Sequence, residues 1–300
     1  MPEVKRALQA DDLPAIYQAW SARSDEAQRN VLRAVKASLG GAIAAALLGL
    51  FEVTVGDDVN LAALAASIGF LVSLLASSWL LWKRPESSWY DARAGAESIK
   101  TLAWQFSVAG GEFPRSEDED EVQRRFLNRT GEILSTIGTV GTPVHAGNSQ
   151  LTPRMLELRA APLGARQGAY LSERINDQRD WYADKAAWNN KRRKAWALLT
   201  LAVQALGLAA GLARAFFGLE VDFLGFAAAL VAGITAWTRT RDYTELTEAY
   251  SVTAQEIGLL TDEPIPNSEE GWADFVDAAE RAFSREHTLW RARKGHLPLA

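Results

Sequence analysis

The chain has no cysteine and only three histidines among its 300 residues. The first absence excludes disulfides, thiolate metal centres and cysteine nucleophiles. His145 falls in a glycine-rich stretch and His296 near the end, so only His287 lies in a predicted helix. Its neighbour Glu286 could pair with it at a metal or catalytic site, but adjacent helical positions do not face each other and no third ligand is spaced to join them. A basic surplus is also missing. Lys and Arg number 32 against 37 Asp and Glu, for a net charge of -5, the wrong sign for a protein that neutralises phosphates along a nucleic acid. The phosphate loop GxxxxGK[ST], HExxH, GxSxG and the kinase signatures are all absent, which leaves no enzyme class and no cofactor indicated. The first thirty residues carry Glu3, Lys5, Arg6, Asp11 and Asp12 with no apolar core, so no cleavable leader is expected.

What the chain does have is segregated apolarity. Residues 61–82, LAALAASIGFLVSLLASSWLLW, contain no ionisable side chain. At about 1.5 Å per residue such a helix spans roughly 30 Å, the hydrocarbon thickness of a bilayer. The alternative, a fully buried core helix, seldom carries so long an uncharged run. Three further blocks, 38–55, 195–213 and 223–238, complete two hairpins. Glu52, Asp57, Asp58, Glu220 and Asp222 mark the hairpin turns, with Arg214 the exception; Lys36, Lys83, Arg84, Arg193, Lys194 and Arg239 are among the basic residues at the outer ends. The positive-inside rule then puts both termini in the cytoplasm, and Trp79, Trp82, Trp188, Trp196 and Trp237 sit at the same basic ends, as interfacial rings do.

Between the blocks lie amphipathic helices, predicted over residues 86–108, 121–137, 165–194, 242–260 and 272–293, with one or two more before residue 36. Trp89, Ala92, Ala96, Ile99, Ala103 and Phe106 recur at spacings of three and four, and Trp272, Val276, Ala279, Phe283 and Trp290 share a heptad seam; both are packing faces. The acidic run 117–121 reads as a solvated loop, and 139–163, rich in glycine and proline, as a mostly irregular linker. Sliding the halves by 153 positions sets Tyr90 on Tyr243, Ala96 on Ala249 and Ser98 on Ser251, with a shared order of elements that marks a repeat.

Within the spans, Ala65, Gly69, Ser73 and Ser77 form a row of small residues, echoed by Gly41, Ala45 and Gly49 and by Gly207 and Gly211. Such rows let helices approach closely in lipid. Packing between spans is one use, an oligomer contact or a pore lining the other. Polar groups inside a membrane are functional candidates, here Glu52, Gln204, Ser67, Ser73, Ser77, Ser78 and Thr235. Glu52 fits the outer interface or a charged ring at a pore mouth, and Gln204, in mid-span, needs an interhelical partner. No chain of Asp, Glu and His crosses the spans, which argues against a proton pump.

The strings DLPAIYQAW (12–20), WYDARAGAESIKTLAWQF (89–106), YLSERINDQRDWYADKAAWN (170–189), TEAYSVTAQEIGLL (247–260) and FSREHTLWRAR (283–293), in this order around two hairpins, resemble the SLATT superfamily of two-transmembrane effector domains. That superfamily is associated with nucleotide-second-messenger synthases and nucleotide-sensing modules of bacterial conflict systems. The resemblance implies two such domains in tandem, 1–138 and 164–300, and a non-enzymatic, homo-oligomeric pore-forming effector in the bacterial inner membrane. A cytosolic nucleotide-signalling or sensor protein is implied as partner. Tyr182, Asn189, Glu256, Ser284, Glu286 and Trp290 are then candidates for coupling in the cytosolic helices. The competing class is a membrane-anchored scaffold without conductance. The expected fold is all-α: an integral membrane protein of four spans in two hairpins, with long juxtamembrane helices forming a cytosolic bundle.

Overall fold

The computed structural model describes residues 8–55, 59–137 and 149–294, with side chains to Phe283. The fold is all-α. After a 3-10 turn at Ala10–Asp12 come α1 (Ala15–Leu48), a two-residue ladder of β1 (Thr54–Val55) and β2 (Val59–Asn60), α2 (Leu61–Lys83), α3 (Pro85–Ser107), α4 (Glu119–Ile137), α5 (Pro153–Ala160) and α6 (Leu163–Tyr170). A π-helical stretch, Leu171–Asn176, leads into α7 (Asp177–Phe217), followed by α8 (Phe223–Arg241), α9 (Tyr243–Asp262) and α10 (Glu269–Lys294). These form two compact units that do not follow the two halves of the chain: an apolar unit, Gln28–Pro85 and Ala186–Glu248, and a polar unit, Met1–Ala27, Glu86–Lys185 and Ala249–Ala300. Each half contributes its apolar hairpin to one unit and its outer helices to the other.

The apolar unit holds two helical hairpins. Four helices are long and apolar enough to cross a membrane: α1, α2, the α6–α7 run and the α8–α9 run. In α2 and α8 only Ala62 and Ile234 are buried. Phe70 is 64% exposed, Trp82 87%, Leu206 71% and Phe217 86%. A surface of such side chains has water as a poor solvent and hydrocarbon as a good one. Asn60 caps α2 by accepting from the Ala63 amide at 3.0 Å, and Asp222 caps α8 by accepting from Gly225 at 3.2 Å while Arg214 reaches it at 2.9 Å. Both helices end alike. Arg84 (φ 42°) and Asp242 (φ 54°) adopt the left-handed conformation, and their amides return to Leu80 and Thr238, which satisfies carbonyls left over at a helix end. A shift of 153 sets Arg84 against Trp237 instead, so the repeat lies in the plan rather than in strict register.

The first span is shorter than its hydropathy suggests. α1 stops at Leu48 rather than near Val55, because Gly49 begins a turn and the β-branched Val53-Thr54-Val55 segment extends, pairing Thr54 with Asn60 and Val55 with Val59. Branching at Cβ favours that pleated geometry over a further helical turn.

The polar unit is built on buried seams. Ala92, Ala96, Ile99, Ala103 and Phe106 of α3 are buried, as are Trp272, Val276, Ala279 and Phe283 of α10. Trp20 lies so close to Gly95 that a Cβ there would meet its ring, and Val276 does the same at Gly110. Phe106, Phe113 and Phe126 form one aromatic cluster, and Tyr170 stands edge-on between Trp104 and Trp272. Two expectations change here. The stretch 139–163 contains a capped helix, α5, opened by Thr152 accepting from the Met155 amide. The acidic run is the start of α4: Asp118 accepts from the Glu121 amide at 3.1 Å, a placement of negative charge that the helix N-terminus favours.

Candidate functional site

The helix contacts inside the apolar unit are backbone-close. A Cβ added to Gly41 would lie 2.5 Å from the Gly69 carbonyl oxygen, and one added to Gly69 would lie 3.0 Å from the Gly41 oxygen. Beside this crossing, Ser38 Oγ meets Ser77 Oγ at 2.8 Å and Ser73 Oγ at 3.4 Å. The small-residue row of α2, at Gly69, Ser73 and Ser77, thus faces α1. The second hairpin uses the same device, with Gly207 against Ala227 and Gly211 against Leu224. Gly233 of α8 receives Ile43 of α1, and Lys36 lies over the Trp237 ring at 5.7 Å, so α1 contacts both α2 and α8. Arg192 lies over the Trp188 ring at 5.3 Å, and Trp188 packs tilted against Tyr243, a mixture of cations and rings suited to a headgroup layer.

Ser67 is exposed and returns its hydroxyl to the Ala63 carbonyl at 2.9 Å, while Ala65 is half-buried. Glu52 is exposed beyond the end of α1. Gln204 is exposed midway along the apolar part of α7 and makes no hydrogen bond among the described residues. An amide in that position is costly in hydrocarbon unless it finds a partner.

The polar unit is organised around charge that periodicity does not reveal. Arg174 is 2% exposed and Glu280 1%. Arg174 grips the carboxylate with both arms, Nε to Oε1 at 2.9 Å and Nη2 to Oε2 at 2.7 Å. Tyr170 donates to Oε1 at 3.0 Å and Thr101 to Oε2 at 2.9 Å. Phe283 covers the guanidinium at 4.9 Å. Burial by itself lowers the pKa of Arg174, but attraction to Glu280 and the bonds between them outweigh it and hold it above the ordinary value. The residue sits in the π-helical stretch, a helix distortion that often marks functional positions.

Two more buried arginines close the C-terminus of α3. Arg159 donates from Nη1 to the Phe106 and Phe113 carbonyls and from Nε to Glu119 at 2.7 Å. Arg166 donates to the Val108 carbonyl at 2.8 Å, which also accepts from Trp272 Nε1 at 2.8 Å, and it pairs with Glu269. Carbonyls at a buried helix end need such partners, and cations there also complement the helix dipole. Sequence reading missed all of these residues. The available signal was Glu280 itself, a charge one helical turn from both Val276 and Phe283 on an apolar seam.

Of the candidate coupling residues, Tyr182 is buried in the polar unit against Trp181 and Tyr250, at 5.0 and 5.5 Å. Glu256 is half-buried on α9 in the same unit, and Asn189 is buried in the apolar unit. Ser284, Glu286 and Trp290 lie on α10 outside the residues whose side chains are described; the histidines 145, 287 and 296 lie outside them too.

A pH dependence follows from Tyr170. Burial first, and then the charge of Glu280, push its pKa well above its ordinary value. Below that ordinary value of about 10 both folded and unfolded chains keep the proton. Above it the unfolded tyrosine ionises and the folded one does not, so stability falls by about 1.4 kcal/mol per pH unit per tyrosine. Tyr170→Phe is expected to flatten this alkaline loss, measured as the denaturant midpoint against pH; an unchanged slope would remove Tyr170 from the account.

Residues 14–167 match the family model SLATT_3, described as SMODS and SLOG-associating 2TM effector domain 3. Residues 170–290 match SLATT_1, SMODS and SLOG-associating 2TM effector domain 1. No curated protein and no solved structure matches the chain.

Proposed function

Because the chain belongs to the SLATT superfamily, a domain of its third family followed by one of its first, we propose that it is a non-enzymatic membrane effector of a bacterial conflict system that self-associates into a pore. Its polar helices lie in the cytoplasm with both termini. There they receive a signal from a nucleotide-signalling or sensor protein, and the four apolar helices permeabilise the inner membrane.

The observation that carries this reading is the outward-facing apolar surface of the hairpins, with Phe70, Trp82, Leu206 and Phe217 exposed. Such a surface requires lipid, and the family is one of effectors. The unpartnered amide of Gln204 on that surface supports self-association, since a second copy can supply a hydrogen bond that lipid cannot. The packing of Gly69, Ser73 and Ser77 against α1 of the same chain supports their use in span packing over a place in a pore lining. That use favours the scaffold reading to the same degree that it weakens Ser73 and Ser77 as lining residues.

Purified protein in dye-loaded liposomes tests the proposal. Leakage that rises steeply with protein-to-lipid ratio is expected, and Gln204→Leu should weaken self-association by about 1 kcal/mol, roughly fivefold in dissociation constant, measured by energy transfer between labelled copies in vesicles. Liposomes that stay tight at every ratio and in the presence of the cognate signal protein would leave the membrane-anchored scaffold as the function. Equal association of both variants would assign Gln204 no contact.

A further inference from the structure

A cavity of about 160 Å³ opens in the polar unit, walled by Tyr17 of α1, Lys100 and Trp104 of α3, Arg174 and Glu173 of the π-helical stretch and Asp177 of α7. Glu173 and Asp177 are exposed, Lys100 is half-buried and Arg174 is buried. The Lys100 ammonium makes no hydrogen bond and no ion pair among the described residues. Arg174 spends Nε and Nη2 on Glu280 and Thr101, and its Nη1 is buried without an acceptor.

An unpaired ammonium in such a place is costly. Burial, and then the charge of Arg174, lower the pKa of Lys100, against the opposing pull of Glu97, Glu280 and Asp177. Glu280 is already committed to Arg174, Tyr170 and Thr101, and Asp177, being exposed, is screened by water. Glu97 and Glu173 lie nearby but neither makes a hydrogen bond or an ion pair with Lys100, so the wall offers an ammonium whose acceptor the described residues do not supply, beside a guanidinium with one donor unused. Its volume is well below the ~300 Å³ at which pockets for larger organic ligands begin.

We propose that this cavity binds a small oxyanion, an inorganic phosphate or a short carboxylate, on the Lys100 ammonium, with the Arg174 guanidinium beside it. The bound anion supplies the acceptor that Lys100 lacks and joins the start of α1, α3 and the π-helical stretch. The proposal is independent of pore formation.

Thermal unfolding of the full-length protein in detergent micelles tests it, with inorganic phosphate and acetate titrated at an ionic strength held constant with chloride. Wild type is expected to show a saturable rise in Tm with at least one of the two anions, since a ligand of the folded state stabilises it by mass action; which anion acts identifies the ligand as phosphate or carboxylate. Lys100→Met, without either anion, is expected to melt above wild type, because an unpaired, half-buried charge has been removed. It should bind the anion about tenfold or more weakly. Lys100→Arg should retain the response, and Lys100→Gln carries the test if the methionine variant does not fold. The same anion-dependent rise in wild type and in the uncharged variant, or no saturable rise with either anion, would overturn the proposal.

Discussion

Glu280→Ala is expected to unfold the polar unit at ordinary growth temperature. Removing one partner of a buried ion pair leaves the other charge uncompensated, at a cost of about 3–5 kcal/mol. Here the loss is compounded, because Tyr170 and Thr101 donate to the same carboxylate and each is left with an unsatisfied hydroxyl, at about 1–3 kcal/mol apiece where no water replaces it. Domains of this size have roughly 5–15 kcal/mol in total. Chemical denaturation followed by far-ultraviolet circular dichroism gives the loss directly. The pairing account makes a second, less obvious demand: the double variant Arg174→Met, Glu280→Leu should recover the part of the loss that comes from the uncompensated charge, about 3–5 kcal/mol, while the Tyr170 and Thr101 hydroxyls stay without their acceptor. If the double variant is as unstable as the single one, the cluster matters for something other than charge compensation.

Gly41→Leu should have the largest effect in the apolar unit. The first atom of the new side chain would already lie 2.5 Å from the Gly69 carbonyl oxygen and 3.0 Å from the Ser73 amide nitrogen. Those are backbone atoms and cannot turn aside, so α1 and α2 must separate. Separation loses the Ser38 contacts with Ser73 and Ser77 as well, and overpacking of this kind costs about 1–3 kcal/mol. The neighbouring Gly40 is the control, because a Cβ there meets nothing within 4 Å and Gly40→Leu should be close to neutral. Unfolding in mixed micelles of rising dodecyl sulfate fraction separates the two. Equal midpoints for the two variants would mean that the close crossing does not hold the hairpin together.

These two cases mark the limits of what the sequence makes legible. The spans and the seams of α3 and α10 rest on local regularity: an uncharged run, or apolar residues at helical spacing. The row at Gly69, Ser73 and Ser77 was visible for the same reason, although its facing helix was not. Glu280 was not legible, since its partner Arg174 is 106 positions away and only folding brings them together. Arg159 is hidden by its surroundings, a glycine- and proline-rich stretch in which Pro153 opens α5 as a first-turn residue rather than breaking a helix, and Arg166 falls in the predicted helix 165–194, where nothing local marks it as buried. The acidic run 117–121 is solvated, as its charge density implies, but it opens α4 instead of forming a loop because composition does not reveal capping, and the exposed Glu119 also pairs with the buried Arg159. The early end of α1 was obscured because Val53, Thr54 and Val55 are as apolar as a span and differ from it only in branching at Cβ.

The tandem arrangement has a further consequence for mechanism. Since each half of the chain supplies residues to both units, deleting one half is expected to disable both the polar and the apolar unit rather than to leave a functional single-domain effector.

The central claim, that the four apolar helices permeabilise a membrane, is tested most directly by recording current across a planar lipid bilayer after adding purified full-length protein with its cognate signal protein. Discrete, stepwise conductance is expected from wild type and from Gly40→Leu, and its loss from Gly41→Leu. A bilayer that stays silent with wild-type protein, inserted and folded, would contradict the claim.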